Sequence, residues 1–364
     1  MTKMNHMNLD FFRSKRVLIT GHTGFKGSWL SEILTYAGAE VYGISLELSD
    51  ENNHYKLGIA QHSATSQYFD IVDFPRVKKI IKDFKPDFIF HLAAQALVRT
   101  SYEQPELTWR SNVLGTQSVL EALRGIEREC IAVFITSDKC YANKEWCWGY
   151  RETDELGGVD PYSSSKAAAE LLISSYHKSY FSQKDSPVKL ASARAGNVIG
   201  GGDWSKDRIV PDCIKRWARG EKCILRSPSA TRPWQHVLEP LNGYLTLARA
   251  MSFSDHLSGE AFNFGPNETQ VRTVYELVES MSARVASKMP SVEFEIDDKL
   301  ENKHEAGLLK LNCDKAFQKL KWLPKLNFEN TVEFTADWYS SHYTESYLLT
   351  IKQIQTFFAQ DSNI

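Results

Sequence analysis

Three residues able to move protons stand together in Phe134-Ile135-Thr136-Ser137-Asp138-Lys139-Cys140-Tyr141, and Tyr162 and Lys166 follow about 25 residues later. Tyr162 and Lys166 are four apart, so on a helix they share a face. An ammonium beside a phenol favours phenolate and draws the tyrosine pKa from about 10 toward neutrality. A phenolate of that kind is a base for alcohol oxidation, with Ser137 sharing its hydrogen bond and Lys166 holding the ribose hydroxyls of a nicotinamide cofactor. The adjacent Asp138 and Lys139 suggest a second step, in which a proton leaves carbon and water is expelled. The plain alternatives are an exposed Tyr/Lys helix pair and a solvated lysine at a strand end. The placement of Tyr162 on a helix after the Ser137 strand favours the chemistry.

These side chains need a scaffold, and the first 200 residues read as one. Arg16–Thr20, Glu40–Ser45, Asp87–Leu92, Ile131–Ser137 and Lys189–Arg194 are short apolar runs that read as strands. Their hydrophobicity is continuous rather than alternating, which argues for parallel strands covered on both faces. Gly27–Ala37, Pro75–Phe84, Pro105–Arg124 and Pro161–Tyr180 carry helical spacing between them. The alternation predicts an α/β fold, a Rossmann-type doubly wound parallel sheet with a smaller C-terminal substrate-binding region. Asp160-Pro161 is a helix start, an oxygen-bearing cap followed by proline at the first helical position. The expected division is 15–196 for the dinucleotide-binding domain, with strands returning to its sheet near Gln235–Val237 and Ala261–Phe264 (segments 233–240 and 260–266). Residues 197–232 and 267–340 are expected to form the substrate region and 341–364 a tail without assigned function. Met1 to Lys15 is polar and is expected to fray.

The cofactor signal is Gly21-His22-Thr23-Gly24-Phe25-Lys26-Gly27, between the first strand and the first helix. Glycines there let the backbone turn tightly and approach a pyrophosphate at the helix N-terminus. Gly21, Thr23, Gly24, Phe25, Lys26 and Gly27 are therefore the expected phosphate-side contacts. A carboxylate for the ribose diol is expected at the end of the second strand; Ser45 stands there, with Glu47 two residues on. No arginine follows to hold a 2′-phosphate, so NAD is favoured over NADP. Asp70, with Ile71 beside it, either reaches the adenine edge or caps the helix before Pro75. Leu92, Ala93 and Ala94 follow the fourth strand and are small enough for a dinucleotide to lie across the sheet edge.

With the glycine triplet, Ser137 and the Tyr162/Lys166 pair in this order, the chain resembles the extended short-chain dehydrogenase/reductases that act on nucleotide sugars, from about Lys15 to Trp338. Leu97-Val98-Arg99, the run Trp146 to Glu152, Ala193 to Trp204 and Arg232-Pro233-Trp234-Gln235-His236-Val237 narrow the resemblance to 4,6-dehydratases. It implies a glucose carried on a nucleoside diphosphate, with cytidine as the base, and a homodimer through the Pro105 and Pro161 helices. In related thymidine-linked dehydratases an Asp-Glu pair serves as acid and base; here the pair is Asp138-Lys139. Asp138 carries over as the acid at C6 and has to be protonated, by desolvation or by another carboxylate. Lys139 is preferred as the base at C5, which requires it to be neutral; the alternative is a charged Lys139 that stabilises the enolate. Arg232 is the first candidate for the diphosphate, because a planar fork matches phosphate oxygens. Arg208, Asn197 and Arg99 are further substrate candidates, each with a local structural role as its alternative. His236 reads as a core histidine. A nucleotide-sugar 4-epimerase and a non-catalytic dinucleotide sensor are the competing readings; the Asp138-Lys139 pair argues against the first and the intact Tyr/Lys pair against the second.

Composition closes off other classes. A formal net charge of −2 gives no drive toward nucleic acid or membrane. No apolar run approaches the roughly 20 residues of a bilayer span, and no apolar leader opens the chain, so a cytoplasmic enzyme is expected. The six cysteines are scattered without a Cys-x-x-Cys pair, and no His/Cys/Asp/Glu cluster has metal spacing, so buried free thiols and no metal are expected. Nine tryptophans hint at a pocket with stacking surfaces.

Overall fold

A computed structural model describes residues 9–47, 54–58, 60–267, 270–296, 308–341 and 346–359. Seven parallel strands make the central sheet: β1 (Arg16–Thr20), β2 (Glu40–Ser45), β3 (Thr65–Tyr68), β4 (Phe88–His91), β5 (Cys130–Ile135), β6 (Val188–Ala195) and β7 (Ala261–Phe264), in the order β7-β6-β5-β4-β1-β2-β3. Every residue of β5 is buried. Successive side chains feed opposite faces: Val17, Ile19 and Val133 join one core, and Leu18, Ala132 and Phe134 the other. Fully burying an aliphatic side chain such as Leu18 or Ile19 contributes roughly 1.5–3 kcal/mol. Such two-sided burial is why these runs lack polar alternation.

Helices α1 (Phe25–Tyr36), α2 (Phe74–Phe84), α3 (Gly115–Leu123) and α4 (Pro161–Tyr176) flank the sheet. The start of α4 is as expected: Asp160 accepts from the Ser163 amide at 2.9 Å and from its hydroxyl at 2.6 Å, with Pro161 in the first turn. Beyond β6 come α5 (Ile209–Trp217), α6 (Leu238–Met251), α7 (Val274–Val285), α8 (Phe328–Ser341) and α9 (Ser346–Ala359).

Several expectations change. β3 is a polar, mostly exposed edge strand, Thr-Ser-Gln-Tyr, with no apolar run to announce it. Ala261–Phe264 joins the main sheet beside β6, but Gln235–His236 pairs only with Val198–Ile199 in a separate two-stranded ladder. The helix expected over Pro105–Arg124 is interrupted by a wide π turn at Arg110–Leu114, and α4 loosens the same way at His177–Phe181; side-chain periodicity does not register one extra residue per turn. Leu9–Phe12 forms a 3-10 turn with Phe12 fully buried, so that stretch does not fray; Met1–Asn8 lies outside the described residues. Trp29, Trp217 and Trp338 fill the core rather than a binding surface, whereas Trp234 lines the cleft. The six cysteines are free, four of them buried, but Cys147 is exposed.

Candidate functional site

The loops at the carboxyl ends of β1, β4, β5 and β6 open into a cleft of about 1390 Å³. A ligand crevice in a doubly wound sheet belongs at that edge. Gly21, Thr23, Gly24, Phe25, Lys26, Gly27, Asp70, Ile71, Leu92, Ala93 and Ala94 all line it, as do Ser137, Asp138, Lys139, Tyr162, Lys166, Arg99, Asn197, Arg208 and Arg232.

At the dinucleotide end the backbone is packed too tightly for side chains. Gly21 has φ +72°, and a Cβ on Gly27 would stand 2.0 Å from the Gly21 carbonyl oxygen. Such a turn leaves amides at the N-terminus of α1 facing the cleft, which fits a pyrophosphate. Below it, Thr20 Oγ1 lies 2.7 Å from His91 Nδ1 and accepts from the Ala93 amide at 3.2 Å, so the floor of small residues is pinned to the sheet. At the end of β2, Ser45 and Thr23 hydroxyls meet at 2.6 Å, where a carboxylate was sought. Asp70 does not cap α2, because Asp73 does, accepting from the Arg76 amide. Asp70 instead accepts from the Val72 amide and pairs with Arg110 at 3.1 Å on the cleft wall.

The proton-moving groups gather where β5 ends. Ser137 caps a single 3-10 turn, Asp138–Cys140: its hydroxyl accepts from the Lys139 amide at 3.2 Å and donates to Asp138 Oδ1 at 2.9 Å. Asp138 is only 3% exposed, and burial raises its pKa against the pull of Lys139, the Ser137 hydroxyl and Lys26. Desolvation, not a second carboxylate, is thus what pushes this acid up. Lys139 is half-buried at the cleft wall. Tyr162 and Lys166 are one helical turn apart, both buried.

The expected effect of Lys166 on Tyr162 is not what the geometry gives. Burial pushes the Tyr162 phenol up to about 12, with the Ser137 hydrogen bond and Arg208 opposing it. Lys166 points past the phenol to the Ile135 carbonyl at 3.4 Å, and its own burial lowers it to about 8. Burial of this kind favours the neutral phenol, so the charges around it have to offset desolvation for it to act as a base.

Two positioning groups escaped the sequence reading. Asn112, in the π turn, accepts from the Gln95 amide at 2.8 Å and donates to Ser165 on α4 at 2.8 Å, tying the cofactor floor to the Tyr162 helix. One turn beyond Lys166, Glu170 takes two bonds from Arg194 and others from Thr136 and Ser192. Burial alone would raise Glu170, but Arg194 and these donors leave it depressed. Neither residue has a sequence signal beyond being polar in an apolar stretch.

The opposite end of the cleft is cationic. Arg232 is nearly buried on a short strand, Thr231–Pro233. Arg208 pairs with Asp203 at 2.7 Å yet acts electrostatically on Tyr162, so it reaches the catalytic end. Arg99 pairs with Asp207 at 2.7 Å on the rim, the local role held open for it. The Asn197 carbonyl accepts from the Gln235 amide at 3.2 Å. Lys215, Arg216, Arg219 and Arg226 add to this wall; Lys215 and Arg216 sit in the last turn of α5, where basic residues are ordinary, and so drew no notice. His236 is fully buried against Trp29 and Phe334, the core histidine expected. Among the described residues no group of acidic, histidine and cysteine side chains could hold a metal.

The chain matches the family model described as GDP-mannose 4,6 dehydratase over residues 18–335. It is 43% identical over 335 residues to a CDP-glucose 4,6-dehydratase of Salmonella typhimurium, covering 91% of this chain and 92% of the relative. A GDP-mannose 4,6-dehydratase of Vibrio cholerae is 25% identical over 86% of this chain and 91% of its own length. Among solved structures, a UDP-glucose 4-epimerase from Brucella ovis in complex with NAD superposes with a TM-score of 0.74 at 21% identity, over 90% of this chain and 98% of that one. That last likeness speaks for the fold.

Proposed function

Because the chain belongs to the GDP-mannose 4,6-dehydratase family of nucleotide-sugar dehydratases, we propose that it converts CDP-D-glucose to CDP-4-dehydro-6-deoxy-D-glucose and water. The observation that carries this reading is Asp138, a buried and hydrogen-bonded acid standing beside the Ser137/Tyr162 pair. An enzyme that only oxidises and re-reduces C4 has no use for it.

The turn at Gly21–Gly27 and the Leu92–Ala94 floor fit NAD. When bound, NAD supplies an acceptor for the C4 hydride and a donor for its return at C6. As a phenolate, held by a hydrogen bond from Ser137 and favoured by the positive charges nearby, Tyr162 takes the O4 proton and becomes the phenol. Lys166 holds ribose hydroxyls from below. The resulting 4-ketone acidifies C5–H, since the carbanion delocalises into an enolate. Lys139 takes that proton while Asp138 gives its own to the C6 oxygen, and the C6–O bond breaks. The C6 hydroxyl leaves as water with the Asp138 proton, and the return of hydride to C6 is matched by a proton placed on C5; the protons taken from O4 by Tyr162 and from C5 by Lys139 replace these two, so the balance closes. Arg232 and Arg208 serve the diphosphate, with Asn197 and Arg99 at the hexose and rim.

Leu107, Trp109, Leu114, Leu171 and Tyr180 leave apolar surface along the helical segments beginning at Pro105 and Pro161, which supports a homodimer through them. Free thiols, one of them exposed, suit the reducing cytoplasm; among the described residues no helix is long and apolar enough to cross a membrane. The product, an activated 4-ketosugar, is suited to further reduction into deoxysugars of the O-antigen type. The test is one assay with CDP-, TDP-, UDP- and GDP-glucose, scored by the alkali absorbance of a 4-keto-6-deoxy sugar. The cytidine substrate should dominate, and equal or better turnover of another overturns the assignment.

A further inference from the structure

Asp203 lines the same cleft as the arginines that face a diphosphate, yet it carries the opposite charge. It closes the run Gly200-Gly201-Gly202-Asp203, and no step of the elimination uses it. A buried carboxylate in a phosphate-binding wall works against the ligand unless another group holds its charge. Among the described residues Oδ1 accepts from the Ser205 amide at 3.1 Å and Oδ2 from Arg208 Nη1 at 2.7 Å. The carboxylate side chain is 4% exposed and that of the arginine 33%, so the guanidinium is the half of the pair that meets the cleft.

The support for this pair comes from outside the cleft. The Tyr339 hydroxyl, buried on α8, donates to the Asp203 carbonyl at 2.6 Å, and the Trp29 indole of α1 donates to the Gly201 carbonyl at 2.8 Å. Two helices thus fix the backbone that carries the carboxylate, and the carboxylate fixes the arginine. Among the described residues Nε and Nη2 of Arg208 have no hydrogen-bond partner, which leaves donors of the planar fork for a ligand. The rim arginines are held differently. Arg99 and Arg226 share Asp207, at 2.7 and 3.7 Å, and all three side chains are exposed; pairs of that kind fix little. The buried cations nearby are engaged elsewhere: Arg194 with Glu170, Lys166 with the Ile135 carbonyl, and Lys26 with the Tyr244 hydroxyl at 3.5 Å.

We propose that Asp203 is a positioning residue for Arg208, holding the guanidinium in the orientation in which it takes a phosphate oxygen of the nucleotide sugar. The identity of that anion rests on the nucleotide-sugar reading; the pairing does not. The rotamer freedom of a long side chain is then lost when the protein folds and not when the ligand binds, which strengthens binding with no contact between Asp203 and the ligand. Asp203 acts through Arg208, and its effect disappears when Arg208 is gone.

The test is a double-mutant cycle read by calorimetry with CDP on the full chain loaded with NAD. Asp203→Asn keeps the shape of the side chain and removes its charge, and it should weaken CDP binding about tenfold. Asp203→Ser reports the same loss where Asn disturbs folding. In an Arg208→Gln background the Asp203→Asn change should weaken binding no more than about twofold further. With CDP-glucose, KM should rise in Asp203→Asn while kcat holds. Unchanged affinity in a folded variant overturns the proposal, and so does a fall in kcat with KM unmoved. A loss of equal size with and without Arg208 also overturns it, because Asp203 would then merely hold up its loop. A cycle that behaves as expected in a protein that dehydrates no nucleotide sugar upholds the positioning and refutes the dehydratase reading instead.

Discussion

Acidification from pH 7 to about pH 5.5 should cost this protein about 5 kcal/mol of stability through four buried histidines. His22, His54, His91 and His236 are all buried, and burial lowers their pKa values to about 4, 3, 3 and 3. Their partners are hydroxyls and amides: Ser66 for His22, Ser28 and Thr350 for His54, Thr20 and Thr116 for His91, and the Leu238 amide for His236. No carboxylate is among these partners to hold a proton. The sign follows from linkage. Below the unfolded value of about 6.5 the unfolded chain binds protons that the native rings refuse, so stability falls with pH until the folded values are reached. Each ring then loses about 1.2 kcal/mol between pH 7 and about pH 5.5, and four lose about 5 kcal/mol. A domain holds roughly 5–15 kcal/mol in all. Asp138 and Glu152, whose carboxyls burial raises, act in the opposite sense and blunt the fall. The assay is urea unfolding followed by tryptophan fluorescence at the two pH values, repeated with His236→Gln, which should remove about a quarter of the pH effect. A stability that changes by less than about 1 kcal/mol over this window would refute the reasoning.

Two further perturbations probe the site. Lys139→Met should stop solvent deuterium from entering C5 while C4 oxidation persists as a change in nicotinamide absorbance; wash-in at the normal rate would leave Lys139 only a charged stabiliser. Gly27→Ala should weaken NAD binding at least about tenfold, or 1.4 kcal/mol, because its Cβ collides with the Gly21 carbonyl; unchanged affinity by calorimetry would mean the turn does not cradle the pyrophosphate.

The parts of the molecule legible in the sequence are those where one local cause dominates. β1 and β2 begin and end where their apolar runs do, since both faces are covered, and Asp160-Pro161 marks α4 because a cap and a proline act within one turn. The glycine turn and the Tyr162/Lys166 face are local in the same way. Features set by distant neighbours were not legible. β3 is a strand because β2 offers it a hydrogen-bonding edge, whatever its polar residues prefer. The π turn at Arg110 lets Asn112 reach two segments at once, and no spacing rule announces it. The pKa of Tyr162 is set the same way: sequence spacing puts Lys166 on its face, but the ammonium is directed to the Ile135 carbonyl across the site. Lys26 was legible as part of a phosphate turn, while the reach of its side chain to Tyr244 depends on α6, more than two hundred residues away.

The central claim is that one site oxidises C4, eliminates across C5 and C6, and returns the same hydride to C6. It is tested most directly with CDP-glucose carrying deuterium at C4, followed by NMR of the product. The account predicts a 4-keto-6-deoxy product with the C4 deuterium now at C6 and a solvent-derived hydrogen at C5. Deuterium retained at C4 in a galactose-configured sugar, or a 6-deoxy product without the label, would contradict it.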